Sequence, residues 1–107
     1  MANTETKTKN RIVGKLDTTG STGAITVSGS KLLDVSIDFD TNSFVGTIDL
    51  ERETSTGASN IGEYQVVESY SASAEKVAQS ATTRNYRLTA TVTSGTAEYE
   101  LTAGNFS

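Results

Sequence analysis

In residues 32–40, LLDVSIDFD, apolar and polar side chains alternate strictly from Leu33 onward. A period of two is typical of a β-strand that buries one face and exposes the other. A slip of one residue would place carboxylates and a hydroxyl in the core, so the register of this strand is well specified. The apolar face carries Leu33, Val35, Ile37 and Phe39.

A second alternating run follows directly. Residues 40–43, DTNS, are turn formers, and residues 44–52, FVGTIDLER, place Phe44, Ile48 and Leu50 on one face. Because Asp and Asn bond to nearby backbone groups and favour turns, the two runs predict a β-hairpin.

The end of the chain repeats this arrangement. Residues 85–92, NYRLTATV, are followed by the turn TSGT (93–96) and by AEYEL (97–101). Gly95 can adopt positive φ at no steric cost, so this segment predicts a second hairpin. Tyr86 stands at the start of the strand, where we expect its hydroxyl to bond back to the backbone across a corner.

The remaining segments are shorter. RIVGKL (11–16) and AITVS (24–28) are β-like, and YQVVESYSA (64–72) predicts a strand whose Gln65–Tyr70 part lies at a sheet edge. Residues 74–83 fit either a short helix or a strand. Frequent turn signals between short strands favour an all-β fold, a single antiparallel β-sandwich of about seven or eight strands with immunoglobulin-like or jelly-roll-like connections.

The composition limits the chemistry. The 107 residues include 18 Thr and 13 Ser but no Cys, His, Pro or Trp. Disulfides and Cys–His or Ser–His nucleophile pairs are therefore excluded. We expect no enzymatic activity and no cofactor, since the usual acid–base and nucleophile groups are absent or unsupported by a motif.

Charge is unevenly distributed. Residues 1–15 hold four basic side chains against one acidic, a net of +3, whereas the rest of the chain has a net of −7. We expect residues 1–11 to form a flexible basic arm and residues 12–107 to form the sandwich domain. The residues expected to bind a partner are Lys7, Lys9, Arg11 and, near the C-terminus, Phe106.

An acidic body is poorly suited to a phosphate backbone, so no nucleic-acid partner is expected. The chain has no long apolar run, so neither a membrane span nor a signal peptide is expected.

One segment resembles a calcium loop. Asp38, Asp40, Asn42 and Asp49 follow the spacing of positions 1, 3, 5 and 12 of the template. Ser43 replaces the required Gly, Asp49 replaces the bidentate Glu, and strands flank the segment instead of helices. We therefore favour an acidic hairpin with a polar turn over a metal site.

The order SFVGTIDLER (43–52), a Gly-containing polar loop, YQVVESYSA (64–72) and NYRLTATVTSGTAEYEL (85–101) resembles a group of small β-sandwich proteins encoded among the virion genes of tailed bacteriophages. The resemblance covers residues 42–102. In one respect the sequence departs from that pattern, because Tyr64 stands where Trp is expected.

This resemblance implies a structural virion protein, assembled in the host cytoplasm, that binds the major capsid protein or other virion proteins as a head decoration (cement) protein. Self-association on the particle is compatible with this role. Two alternatives stay open: a receptor- or carbohydrate-binding module that uses Tyr64, Tyr70 or Phe106, and a low-copy neck or fibre component.

Overall fold

The computed structural model describes residues 3–29, 31–54, 63–79 and 82–104. These residues form eight antiparallel strands and no helix, which confirms the predicted all-β class. The segment 74–79, which fitted either a helix or a strand, is a strand. In chain order the strands are β1 (Thr4–Lys7), β2 (Arg11–Leu16), β3 (Gly20–Ser21), β4 (Ile25–Val27), β5 (Leu32–Glu53), β6 (Tyr64–Tyr70), β7 (Ala74–Gln79) and β8 (Arg84–Gly104).

Both predicted hairpins are wrong. β5 passes through residues 40–43 without reversing, and β8 passes through 93–96 in the same way. The two long strands pair with each other, from Leu32 opposite Gly104 to Arg52 opposite Tyr86. The two turn-forming segments lie opposite each other, so they bend both strands together instead of reversing each one.

Each long strand bends sharply near its middle. A straight strand of 21 residues would span about 70 Å, yet the longest dimension of the molecule is 37 Å. Val27 pairs with Arg84 at one end of β8, and Leu32 pairs with Gly104 at the other end. Five peptide steps from residue 27 to residue 32 reach at most about 18 Å. The two ends of β8 therefore lie close together, and the sheet is folded into two layers.

The first layer contains β1, β2, β7 and the segments 32–38 and 97–104. The second layer contains β3, β4, β6 and the segments 46–53 and 84–92. Neighbouring strands in the sheet follow the order β1-β2-β8-β5-β6. In addition, β3 and β4 pair with β8, and β7 pairs with β5. A smallest dimension of 21 Å fits two sheets packed about 10 Å apart with side chains on their outer faces.

The core lies between the layers. The inward side chains of both layers form one cluster, in which Ile48 and Leu88 are completely buried. At the bend, Phe39 packs edge-to-face on Phe44 with ring centroids 4.8 Å apart. The alternation along both halves of β5 therefore predicted the buried face correctly, although it did not reveal the bend.

Close backbone contacts fix the bend. Gly95 has φ +76°, and a Cβ added there would lie 2.2 Å from the carbonyl oxygen of Ser43. Gly46 has φ +150°, and its added Cβ would lie 2.1 Å from the carbonyl oxygen of Thr91. Any side chain at either position would force the two strands apart.

The predicted boundary of the N-terminal arm is corrected. Residues 4–7 form β1, which pairs with β2 from Thr4 opposite Lys15 to Lys7 opposite Ile12. Arg11 is the first residue of β2 and not the last residue of an arm. A polar alternating segment can join a sheet at its margin, where no buried face is needed.

The predicted corner at Tyr86 is also corrected. Tyr86 is buried, but its hydroxyl makes no hydrogen bond to another residue among those the structure describes. Within the described ranges, the Tyr70 hydroxyl donates to Glu68, and the Tyr99 hydroxyl lies beside the Glu5 carboxylate.

Candidate interaction surfaces

β1 forms one margin of the first layer, and side chains from its N-terminal end hold it there. All four of its residues are exposed. The Oδ1 atom of Asn3 accepts hydrogen bonds from the backbone nitrogens of Asp17 at 2.8 Å and Thr18 at 2.9 Å. The Asn3 Nδ2 atom donates to the Thr18 carbonyl at 3.0 Å. These three bonds fasten the start of β1 to the turn after β2.

Glu5 makes the second attachment. Its Oε1 atom accepts a hydrogen bond from the backbone nitrogen of Gly23 at 2.7 Å, and its carboxylate also lies beside the Tyr99 hydroxyl. The register aligns Glu5, Gly14 and Tyr99 in one row across three strands. An added Cβ at Gly14 would lie 3.0 Å from the Tyr99 hydroxyl and 2.0 Å from the Thr4 carbonyl oxygen, so glycine leaves the room that this contact needs.

The contact with Glu5 affects the pKa of Tyr99. Burial of the phenol, and then the nearby negative charge and hydrogen bond of Glu5, raise the pKa of Tyr99 above its ordinary value of 10.0. The fold therefore favours the neutral phenol, which is the form that can donate to Glu5. We call the contacts of Asn3 and Glu5 together the β1 latch.

The basic residues expected to bind a partner lie at the hairpin between β1 and β2. Lys7 ends β1 and Lys9 lies in the connection, and both are exposed. Arg11 instead forms an ion pair with Glu100 of β8. The structure therefore leaves Lys7 and Lys9 as the exposed basic tip, whereas Phe106 lies outside the described residues.

The outer face of the first layer is acidic. Arg11 and Lys15 are the basic residues whose register places them on this face. The hydroxyl of Ser36 donates to Glu75, and Asn42 Nδ2 donates to Glu98 Oε2 at 3.0 Å. The acidic residues that the alternation turns outward here are Asp34, Asp38, Glu75, Glu98 and Glu100.

β6 and β7 form the opposite margin. As predicted, β6 lies at the end of the strand order. Glu68 Oε2 accepts a hydrogen bond from the Tyr70 hydroxyl at 2.9 Å and lies 3.0 Å from Lys76 Nζ on β7. Those two hydrogen bonds lower the pKa of Glu68 below its ordinary value of 4.5. The Glu68 clasp, as we call these contacts, thus joins the second layer to the first.

Exposed apolar side chains are concentrated at the margin formed by β6 and β7. Val66 and Val67 of β6 are 51% and 47% exposed, and Val77 of β7 is 62% exposed. A register shift beside Val67 marks a β-bulge. Because a bulge disrupts regular hydrogen bonding along an edge, it makes β6 a poorer template for an added strand.

A polar network covers the outer face of the second layer. Arg87 Nε donates to Glu51 Oε1 at 2.7 Å, and the Thr89 hydroxyl donates to the same oxygen at 2.8 Å. The Arg87 guanidinium carbon lies 4.0 Å from the centroid of the Tyr64 ring. Tyr64 thus has one ring face occupied by Arg87, and Tyr70 is buried. The carbohydrate-binding alternative called for exposed aromatic side chains as stacking platforms, and Tyr70 is not exposed.

Three of the four candidate calcium-loop residues, Asp38, Asp40 and Asn42, make hydrogen bonds within the protein. The Asp38 carboxylate accepts hydrogen bonds from the backbone nitrogens of Asp40 at 2.8 Å and Thr41 at 3.2 Å, and from the Thr41 hydroxyl. These bonds lower the pKa of Asp38 below its ordinary value of 3.8. Asp38 therefore caps the bend with local hydrogen bonds, although the segment bends and does not reverse into the hairpin that was favoured.

The other three candidate calcium ligands have different neighbours. Asn42 bonds to Glu98, Asp40 accepts from the Ser73 hydroxyl at 3.3 Å, and Asp49 lies opposite Thr89 beyond the bend. Among the described ranges, no group of three or more His, Cys, Asp or Glu side chains is arranged to hold a metal ion.

A depression of about 200 Å³ lies at the open end of the sandwich. It is lined by polar residues of both layers, including Asn10, Thr26 and Lys31. Ligand pockets are usually larger, about 300–1,000 Å³, and mostly apolar. No helix in the described part of the chain is long and apolar enough to cross a membrane.

Comparison with family models, with curated proteins and with solved structures found no match to this chain.

Two features of these surfaces were missed from the sequence. The β1 latch could have been suspected from residues 4–9, TETKTK, where threonines alternate with charged residues as on an exposed strand. The Glu68 clasp has no local signal, because Glu68 and Lys76 meet only when the two layers close on each other.

Proposed function

We propose that this chain is a non-catalytic structural protein that decorates the head of a tailed-phage particle. The resemblance of residues 42–102 to small virion β-sandwich proteins supports this role. The surface supports it as well, because a basic tip at Lys7 and Lys9 and an acidic outer face lie on the same rigid block. That separation of charge is the observation that carries the proposal.

Separated charges suit attachment to a repeating shell. Complementary charges steer and orient docking, and weak contacts gain strength when many of them act together. The basic tip would contact acidic groups of the capsid protein, and the acidic face would meet basic groups of a neighbouring subunit. No bond-making chemistry is required of the protein in this role.

The decisive experiment is the copy number of the chain in purified particles, measured by quantitative mass spectrometry relative to the major shell protein. A decoration protein is expected at hundreds of copies, on the order of the number of shell subunits. A handful of copies would identify a neck or fibre component instead. Absence from the particles would overturn the proposal.

A binding experiment tests the tip. Purified protein is added to particles that lack it, and sedimentation separates bound from free chain. Lys7→Glu together with Lys9→Glu should weaken binding, whereas Arg52→Glu, which changes an exposed charge on β5 in the second layer, should not. Equal binding by all three proteins would exclude the basic tip as the contact.

A further inference from the structure

We propose that β1 exchanges between two copies of this chain, so that β1 of each copy pairs with β2 of the other. The binding site is the outer edge of β2, and the occupant is residues 3–7 of a second copy. This inference concerns the chain alone and does not depend on the proposed virion role.

The contacts that residues 3–7 of a second copy would make are those that the same residues make within the single chain. Every contact described above for residues 3–7 is made to residues on the other side of the connection: β2, the turn at residues 17–18, Gly23 and Tyr99. Since the β1 latch would be identical in the exchanged form, exchange changes only the connection at residues 8–10. Domain swapping has a low cost when the exchanged element keeps all of its contacts.

The connection is not well suited to a tight reversal. Thr8 donates its backbone nitrogen to the Arg11 carbonyl at 2.8 Å, which leaves Lys9 and Asn10 as a two-residue loop. The favoured two-residue hairpin turns need positive φ, yet among the described residues Ser43 is the only non-glycine with positive φ. A closed hairpin with this loop gains little from its turn.

The open form extends the existing register. Paired residues of β1 and β2 run from Thr4 opposite Lys15 to Lys7 opposite Ile12, and in each pair the two numbers have the same sum. Continued between two copies, that register places Thr8 opposite Arg11 and Lys9 opposite Asn10 of the second copy. The segments 4–16 of both copies would then form one uninterrupted antiparallel ribbon with a two-fold axis at its centre.

Charge opposes the exchange. The ribbon would bring Lys7 and Lys9 of both copies close to the axis. Because salt screens such repulsion, the exchanged fraction should rise with ionic strength. This dependence is the reverse of that expected for association between the basic tip and the acidic face.

Single cysteines provide the test, since the chain contains none of its own. Thr6 lies opposite Val13, and facing residues of an antiparallel pair have a Cα separation that a disulfide can bridge. Thr6→Cys and Val13→Cys are made in separate chains, which are refolded together at high concentration and oxidised in air. A disulfide between these two chains can form in register only after exchange.

The expected product is a heterodimer of two chains of 11.3 kDa each on non-reducing gels. The matched control pairs Val13→Cys with Thr91→Cys, an exposed position in the second layer. The exchange is overturned if the Thr6–Val13 pair yields no more heterodimer than the control, or if a chain carrying both cysteines closes only within itself.

A loop variant supplies a second readout. Lys9→Asn with Asn10→Gly installs the Asn-Gly sequence that favours a closed two-residue hairpin. In the cysteine background this variant should lower the heterodimer yield while leaving the circular dichroism spectrum unchanged. An undiminished yield would contradict the part assigned to the connection.

Discussion

β1 and β6 lie at opposite margins of the sheet, yet they are attached in different ways. β1 is exposed along its whole length and is held by the β1 latch. β6 contributes Tyr70 to the core and is joined through the Glu68 clasp to β7. Each margin pairs a glutamate carboxylate with a tyrosine hydroxyl, but only at β6 is the strand itself part of the packed core.

This difference in burial indicates which strand can detach from the sheet while the core stays intact. Removing β6 would open the core, because Tyr70 is only 8% exposed. Removing β1 would break polar contacts but uncover little apolar surface. Burial therefore makes one margin integral to the fold and leaves the other as an attachment that can be shared between copies.

The largest effect is expected from Tyr70→Ala at the β6 margin. Truncating a buried aromatic side chain leaves a cavity, so the free energy of unfolding should fall by about 3–5 kcal/mol. Urea unfolding monitored by circular dichroism measures this loss. Val67→Ala on the same strand is the control and should change stability by less than about 0.5 kcal/mol, because Val67 is exposed. Similar losses for both variants would remove the contrast between the margins.

Deletion of residues 1–7 should have a smaller effect. The Tyr99 hydroxyl and the Gly23 nitrogen would lose their partner, at a cost of about 1–3 kcal/mol. The truncated chain should still unfold in one cooperative transition, as seen in thermal melts. A loss as large as that of Tyr70→Ala, or failure to fold, would show that β1 is integral to the core.

Tyr99→Phe isolates one bond of the β1 latch. Loss of the polar interaction with Glu5 should lower the free energy of unfolding by about 1 kcal/mol. Tyr86→Phe is the matched control, because Tyr86 is also buried but its hydroxyl has no partner among the described residues. Equal effects of the two substitutions would argue against the latch.

The same variant alters the response to alkaline pH. Because the pKa of Tyr99 is raised in the folded state, the native protein holds its proton where the unfolded chain has lost it. Stability should therefore decline as the pH rises above 10, and Tyr99→Phe should decline less steeply.

The smallest effect is expected at the Glu68 clasp under acidic conditions. The pKa of Glu68 is lowered in the folded state, so its contribution is present above the ordinary value of 4.5 and is lost as the pH falls below it. Glu68→Gln should reduce the slope of stability against pH in this range. Titration of the melting temperature from pH 6 to pH 3 measures the difference, and a slope identical to that of the unchanged protein would exclude the clasp.

The sequence predicted the buried faces but not the path of the chain. Alternation identified Leu33, Ile48 and Leu88 as inward residues because burial on one face imposes a period of two. It could not distinguish a bend from a reversal, since Asp, Asn, Ser and Gly serve both. The outcome depends on which strands pair, and only the mutual pairing of β5 and β8 decides it.

The interaction surfaces were predicted in part. Charge counting located the basic N-terminal region, and the mixed polar and apolar pattern of residues 64–70 located the edge at Gln65–Tyr70. The contacts of Glu5 with Tyr99 and of Glu68 with Lys76 join residues that are distant in sequence or lie in different layers. Such pairs follow from tertiary structure and have no local pattern.

Amide hydrogen exchange compares the two margins most directly. The hydrogen-bonded amides of β1 should exchange through local opening, at least about tenfold faster than those of β6 and β8, which should require global unfolding. Equal protection of β1 and β8 would contradict the central claim that β1 is an attachment separable from the core.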